Sequence, residues 1–427
     1  MKRLLGWVIA GLALGTAVAA QAPQRIAIRA GKLIDGKSDA AVANVLIVVE
    51  GGKITSVTPG GTPPAGAEVI DLSHATVLPG FIDTHTHILL QGDVTAADYD
   101  EQLLKQSIPY RAILAARNAQ IALSHGFTSM RDLETEGAMY ADVDVKTAIA
   151  RGEMPGSRMF VATRAMAPTG AYPLLGYSWE LDTPHGVQVV DGVEGARLAV
   201  RQQLGHGADW IKYYSDHGYF YGPDGILHSR VNFTAEEARA IVEETHRLGH
   251  RVAAHCIGSD GIAAGLAAGV DTIEHGDGLT DDLIDRVVAQ KVFWVPTITV
   301  GAYVAQGRTG NWPKMIETER VAFGKALHKG VKIAFGTDAG GFPWTEINQA
   351  REFHYYVEYG MTPMQAIRTA TTTAADLLGW RDRLGSIEPG RIADIVAVAG
   401  DPLADVSQLE KVAFVMKDGK VYRNDLK

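Results

Sequence analysis

The chain has 427 residues, 46% of them hydrophobic and 21% charged, which supplies a large core and excludes a disordered or fibrous protein. The formal net charge of -9 is mild for this size. No run of Lys or Arg marks a nucleic-acid surface, and no acidic tail marks a solvated one.

The first residues carry an export pattern. Lys2 and Arg3 give a positive start, Leu4 to Leu14 a short apolar stretch, and Ala17-Val18-Ala19-Ala20 a small-residue site for a signal peptidase. Residues 1–20 are expected to be a signal peptide. The mature protein is then exported, periplasmic or secreted, with no stable membrane insertion; an uncleaved anchor is the alternative. The single cysteine, Cys256, permits no intrachain disulfide, and a core of this size can do without one.

Arg25 to Ala30, Asn44 to Glu50 and Lys53 to Val57 read as strands, with a Gly51-Gly52 turn before the last. Asp394 to Ala399 and Val412 to Met416 read alike, and Asp418-Gly419 is a hairpin signal leading into Lys420 to Tyr422. The two ends, residues 21–75 and 385–427, are expected to build one small β-sandwich domain.

Between them, short apolar strands alternate with amphipathic helices. The predicted strands are Thr76–Ile82, Thr128–Arg131, Arg158–Ala162, Trp210–Tyr213, Arg251–Ala254, Thr272–Glu274, Phe293–Thr297 and Lys332–Phe335. Helical patterns cover Tyr110–His125, Val193–Gly205, Ala235–Leu248, Asp281–Gln290 and Lys314–Lys329. Thr234 with Glu237, and Thr362 with Pro363 and Gln365, mark two helix starts. This α/β alternation predicts parallel β/α units, and its strands fit a (β/α)8 TIM barrel over residues 76–384. A doubly wound sheet alternates in the same way, but no G-x-G-x-x-G follows the first strand.

The strand ends carry the chemistry. Residues two apart on a strand share a face, so His85 and His87 can offer two imidazoles to one cation. His255 ends the fifth strand, His275 the sixth and Asp338 the eighth. In a barrel these ends converge on one rim, and His and Asp there suit zinc. A buried, hydrogen-bonded histidine is the alternative at any one position. It explains four at matched strand ends poorly.

Lys212 sits between large apolar neighbours at the end of the fourth strand. Burial lowers a lysine pKa and frees a neutral amine, which can take up carbon dioxide as a carbamate able to bridge two cations. Taken alone, the residue reads more readily as a snorkelling lysine with a wet head.

Together these residues resemble the amidohydrolase superfamily in its two-metal subtype. Leu78-Pro79-Gly80-Phe81-Ile82-Asp83 and Gly390-Arg391-Ile392-Ala393-Asp394 match its local phrases. Within it, the chain is similar to the exported branch related to imidazolonepropionase, metal-dependent prolidases and ochratoxin-type amide hydrolases. The resemblance implies two divalent metal ions, with zinc expected. His85, His87 and Asp338 would bind one, and His255 and His275 the other. Lys212, carboxylated by carbon dioxide, and a hydroxide would bridge them. Asp338 would be the catalytic proton carrier. The implied reaction is hydrolysis of a small-molecule C–N amide by the bridging hydroxide, on a dipeptide or an N-acyl amino acid. Imidazolonepropionase itself typically uses one metal and lacks the strand-four lysine, so Lys212 counts against that activity. Lactone or phosphoester hydrolysis at the same site is the alternative, and a non-catalytic exported binding protein is a third reading.

For the substrate, His217 and Tyr219 in the loop after Lys212 are expected to reach a carboxylate or an oxyanion, or else to pack the loop. Arg164 and Tyr172, after the third strand, are further candidates, though a structural salt bridge suits Arg164 equally well. His246 and His250 lie four apart on a helix but lack the Glu of H-E-x-x-H, and read as a solvent-facing pair. His125 reads as a favourable cation near a helix end. A homo-oligomer is compatible with the sequence.

Overall fold

The computed structural model describes residues 25–95, 97–174 and 176–426, so the expected signal peptide lies outside the described residues. Eight parallel strands form the centre: Phe81–Thr86, Phe127–Asp132, Arg158–Val161, Trp210–Tyr214, Arg251–Cys256, Thr272–His275, Phe293–Val295 and Lys332–Ile333. The first three pair as one sheet, and the last five belong to a second. Backbone hydrogen bonds join the two at both ends. Asp209 N–H donates to Val161 O at 2.7 Å on one side. Thr84 N–H donates to Phe335 O, and Asp338 N–H to His85 O, both at 2.8 Å on the other. The result is a TIM-barrel-type ring with helices between its strands.

The helices form where the sequence marks them. Ala235–Arg247 buries Ala238, Ile241, Val242 and Thr245, one stripe at helical spacing. Both capping boxes, Thr234 with Glu237 and Thr362 with Gln365, are made. No described helix is long and apolar enough to cross a membrane.

Both chain ends contribute to one further sheet of seven strands. Arg25–Leu33, Val42–Glu50, Lys53–Pro59 and Glu68–Pro79 pair with Ile395–Val398, Val412–Lys417 and Lys420–Asn424. The sheet curls back on itself. Ile54 N–H donates to Arg391 O, and Ala393 N–H to Gly52 O, both at 2.9 Å. Its inner faces therefore enclose a core of their own, with Ile28, Ile47, Leu72, Phe414 and Met416. The Arg158 guanidinium reaches from the third barrel strand to Asp394 at 2.5 Å and ties this sheet to the barrel.

The structure corrects two local expectations. The predicted strand Thr76–Ile82 is broken at Gly80: residues up to Pro79 belong to the end sheet, and the barrel begins at Phe81. A Cβ at Gly80 would stand 2.3 Å from Thr128 Oγ1, so only glycine allows the two strands this close. The segment after Lys212, expected as a loop, is a hairpin of Asp216–Tyr221 with Leu227–Val231. Gly222-Pro223-Asp224-Gly225 turns it, with Gly222 N–H donating to Ile226 O at 3.0 Å.

Candidate active site

The predicted residues gather at one rim of the barrel because their strands are parallel and end together. His275, Thr297 and Asp338 all take positive φ, at 69°, 56° and 57°. For residues with a Cβ this backbone costs about 1–3 kcal/mol each, and such strain collects at functional sites. Here it closes the sixth strand at His275 and turns the chain five residues beyond the eighth at Asp338, and both side chains line the cavity.

His85, His255 and His275 are each fixed by a neighbour at one nitrogen, and His87 at both, its Nδ1 lying 3.4 Å from Glu134 O. His85 Nδ1 donates to Glu274 Oε2 at 2.8 Å, which leaves Nε2 without a proton, 3.3 Å from His87 Nε2 and 3.7 Å from Asp338 Oδ1. His87 Nε2 lies 3.0 Å from Asp338 Oδ1. The donor atoms of His85, His87 and Asp338 all fall within 4.8 Å of one another, a spacing that one cation can span. His275 Nδ1 is fixed by Thr297 Oγ1 at 2.8 Å, and its ring centroid lies 4.5 Å from that of His255 and 5.0 Å from that of His85. The Tyr219 hydroxyl donates to His255 Nε2 at 2.7 Å.

Electrostatics favour lone-pair donors at three of the four histidines. Burial, then Lys212, holds His85 and His255 well below the usual histidine range; burial, then His255, does the same to His275. Burial also depresses His87, but the Asp338 carboxylate overrides it and pushes His87 up to about 9. Burial raises Asp338, yet His87 brings it below its ordinary value, so it is ionised. Lys212 is 1% exposed and makes no hydrogen bond or ion pair among the described residues. Burial lowers its pKa, against the opposing pull of Glu274 and Glu134. Three neutral imidazoles, a His87 whose proton a bound cation would displace, an ionised carboxylate and a buried amine without a hydrogen bond fit a divalent-metal site.

Three buried groups brace the floor, and sequence reasoning did not assign them roles. Glu274 accepts from His85, from the Thr272 hydroxyl and from Arg131 at 2.8 Å. Arg131 also donates to Thr84 O at 2.6 Å and lies 4.4 Å from the Trp210 ring centroid. Asp83 accepts from Thr337 Oγ1 and Gln349 Nε2, both at 2.6 Å, and burial pushes it up to about 7. His87, Glu134 and Glu136 also cluster within 4.8 Å, but the hydroxyls of Tyr214 and Tyr99 donate to the two carboxyls at 2.7 Å.

Above the floor opens a cavity of about 240 Å³. His85, His87, Lys212, His255, His275 and Asp338 line its base.

Residues 76–422 match the family model described as Amidohydrolase family. The chain belongs to the amidohydrolase family. The family generally binds divalent metals. This amidohydrolase is 30% identical to ochratoxinase from Aspergillus niger over 376 residues, 81% of this chain and 75% of that one. It is also similar to a crystal structure of a Xaa-Pro dipeptidase with methionine bound in the active site. That likeness has TM-score 0.84 and 36% identity, and covers 94% of this chain and 100% of that one. A prolidase complexed with N-methylphosphonate-L-proline matches at TM-score 0.82 and 29% identity, over 94% of this chain and 100% of that one.

Of the expected substrate contacts, His217, Tyr219 and Tyr172 line the amidohydrolase cavity. His217 pairs with Asn232, and the Tyr172 ring packs 4.8 Å from that of Tyr214. Arg164 does not line it. The chain turns at Thr163, with φ 59°, and sends the guanidinium to Val187 O at 3.5 Å. His246 and His250 hold Asp271 Oδ2 at 2.8 Å and Asp209 O at 2.9 Å, and do not converge on a metal. His125 is not the expected cation: burial and Arg423 lower it to about 4.

Proposed function

We propose that this amidohydrolase cleaves amides of amino acids: dipeptides or N-acyl amino acids, including ochratoxin-like amides. His85, His87 and Asp338 would hold one divalent cation and His255 and His275 a second, with carboxylated Lys212 between them and zinc the expected metal. The observation that carries this reading is the buried, partnerless Lys212 on the same cavity floor as four histidines and Asp338. When bound, the metals supply Lewis-acid polarisation of the amide carbonyl and water activated at neutral pH.

The chain's own residues do the rest. Asp338 is ionised, so it can take a proton from the attacking water and pass it to the leaving nitrogen. Glu274 and Thr297 fix the ring orientations of His85 and His275. Tyr219 and His217, on the hairpin that lines the cavity, would donate to the oxyanion or to a substrate carboxylate, Tyr219 once a cation takes the His255 lone pair to which its hydroxyl donates. The amino-acid and phosphonate-proline ligands bound by the two similar structures support a small amino-acid product.

A panel of N-acyl amino acids, dipeptides, lactones and aryl phosphotriesters tests this. Turnover of the amides is expected. Turnover confined to esters or phosphotriesters would overturn the amide assignment.

A further inference from the structure

The cavity wall carries two carboxyls that make no hydrogen bond or ion pair with another described residue. Glu319, on the helix Asn311–Lys329, is 2% exposed, and its Oε1 is buried with no hydrogen-bond partner. Asp277 follows the sixth strand and also makes no side-chain hydrogen bond or ion pair with another described residue. Both line the cavity. A buried carboxyl left unsatisfied is costly, and the other buried acids nearby avoid it. Glu352, for example, accepts from Ile298 N–H at 2.8 Å and Thr299 N–H at 2.7 Å. Around the two carboxyls, Val300, Val304, Trp312, Met315 and Ile316 make an apolar collar. Lys212 is the only lysine or arginine among the lining residues; Arg308, 5.3 Å from the Trp312 ring centroid, pairs with Asp93 and not with these carboxyls.

We propose that Glu319, with Asp277, forms a subsite for a positively charged group of the substrate, an ammonium or a guanidinium, whose hydrocarbon stem packs against the apolar collar. The subsite rests on the amide-hydrolase reading of the floor and specifies which amides that floor receives. Burial, then Asp277 and Glu352, holds the Glu319 carboxyl well above its usual range. An incoming cation reverses that cost and donates charge-assisted hydrogen bonds to both carboxylates.

The source of the charge, a basic side chain or a free α-amine, is separated by substrate pairs. N-acetyl-L-arginine against N-acetyl-L-norleucine reads the side chain. L-alanyl-L-norleucine against N-acetyl-L-norleucine reads the α-amine. One pair is expected to favour its charged member by about ten-fold or more in kcat/KM, the size of a hydrogen bond to a charged group. In Glu319→Gln that ratio should fall to about three-fold or less. Neither pair reaching that ratio, or a ratio unchanged in Glu319→Gln, would overturn the subsite. Calorimetric binding of L-arginine and L-norleucine to the metal-loaded wild type reads the side-chain arm without turnover or a variant. If no amide is hydrolysed but L-arginine binds about ten-fold tighter, the reaction assignment fails and the subsite stands. Equal affinities together with equal kcat/KM in both pairs would sink the subsite alone.

Discussion

Lys212→Ala is expected to lower kcat/KM for an amide substrate by about 10³-fold or more. The lysine sits on the cavity floor with His85, His87, His255, His275 and Asp338 and makes no hydrogen bond or ion pair of its own among the described residues. A lysine kept only for stability would be paired, because an unpaired buried charge costs several kcal/mol. Removing it should therefore be tolerated by the fold and not by the chemistry. The loss should appear mainly in kcat, with the melting temperature close to wild type. Acetate or propionate, which can enter the space and supply a carboxylate, should restore part of the rate. Steady-state kinetics with and without the added acid check this. Full activity in the variant would contradict a bridging role for Lys212.

Glu274→Ala should destabilise the protein by about 3–5 kcal/mol, the cost of stranding a buried charge. Glu274 is fully buried and accepts from both Arg131 and His85 at 2.8 Å. Arg131 is equally buried, and its remaining contacts, Thr84 O, the Thr272 hydroxyl and the Trp210 face, carry no charge to neutralise it. The same change frees His85 Nδ1, so the ring loses the partner that aims Nε2 at the site. Metal affinity should then fall by about 10- to 100-fold. Denaturant unfolding and competition with a chelator measure the two effects separately. A stability change within about 0.5 kcal/mol would show that the Arg131–Glu274 pair does not hold this floor.

The contrast between Lys212 and Glu274 shows what a sequence makes legible. Lys212 stands out because a lysine flanked by Trp210, Ile211, Tyr213 and Tyr214 breaks the apolar pattern of its own strand. The histidines stand out through their matched positions at strand ends, which the alternation of strands and helices already reveals. Glu274 has no local signal. Its guanidinium and ring partners lie 143 and 189 residues away, and only the folded chain brings them together. Asp83 is likewise bound to Thr337 and Gln349, more than 250 residues on. The first predicted strand stops at Ile82 where the observed one runs on to Thr86, and its break at Gly80 was not legible, because Thr128, which forces it, belongs to the next strand. Arg164 has the right chemistry for a carboxylate, but the left-handed turn at Thr163 sends it elsewhere. Backbone direction after a strand end is set by contacts that composition does not encode.

The central claim is a floor built for two divalent cations. Metal analysis of the purified protein, together with activity after chelation and stepwise metal return, tests it most directly. The expected result is two equivalents of divalent metal per chain, amide hydrolysis lost on chelation, and recovery complete only at the second equivalent of zinc. Hydrolysis that survives complete metal removal, or full activity with one equivalent or none, would contradict it.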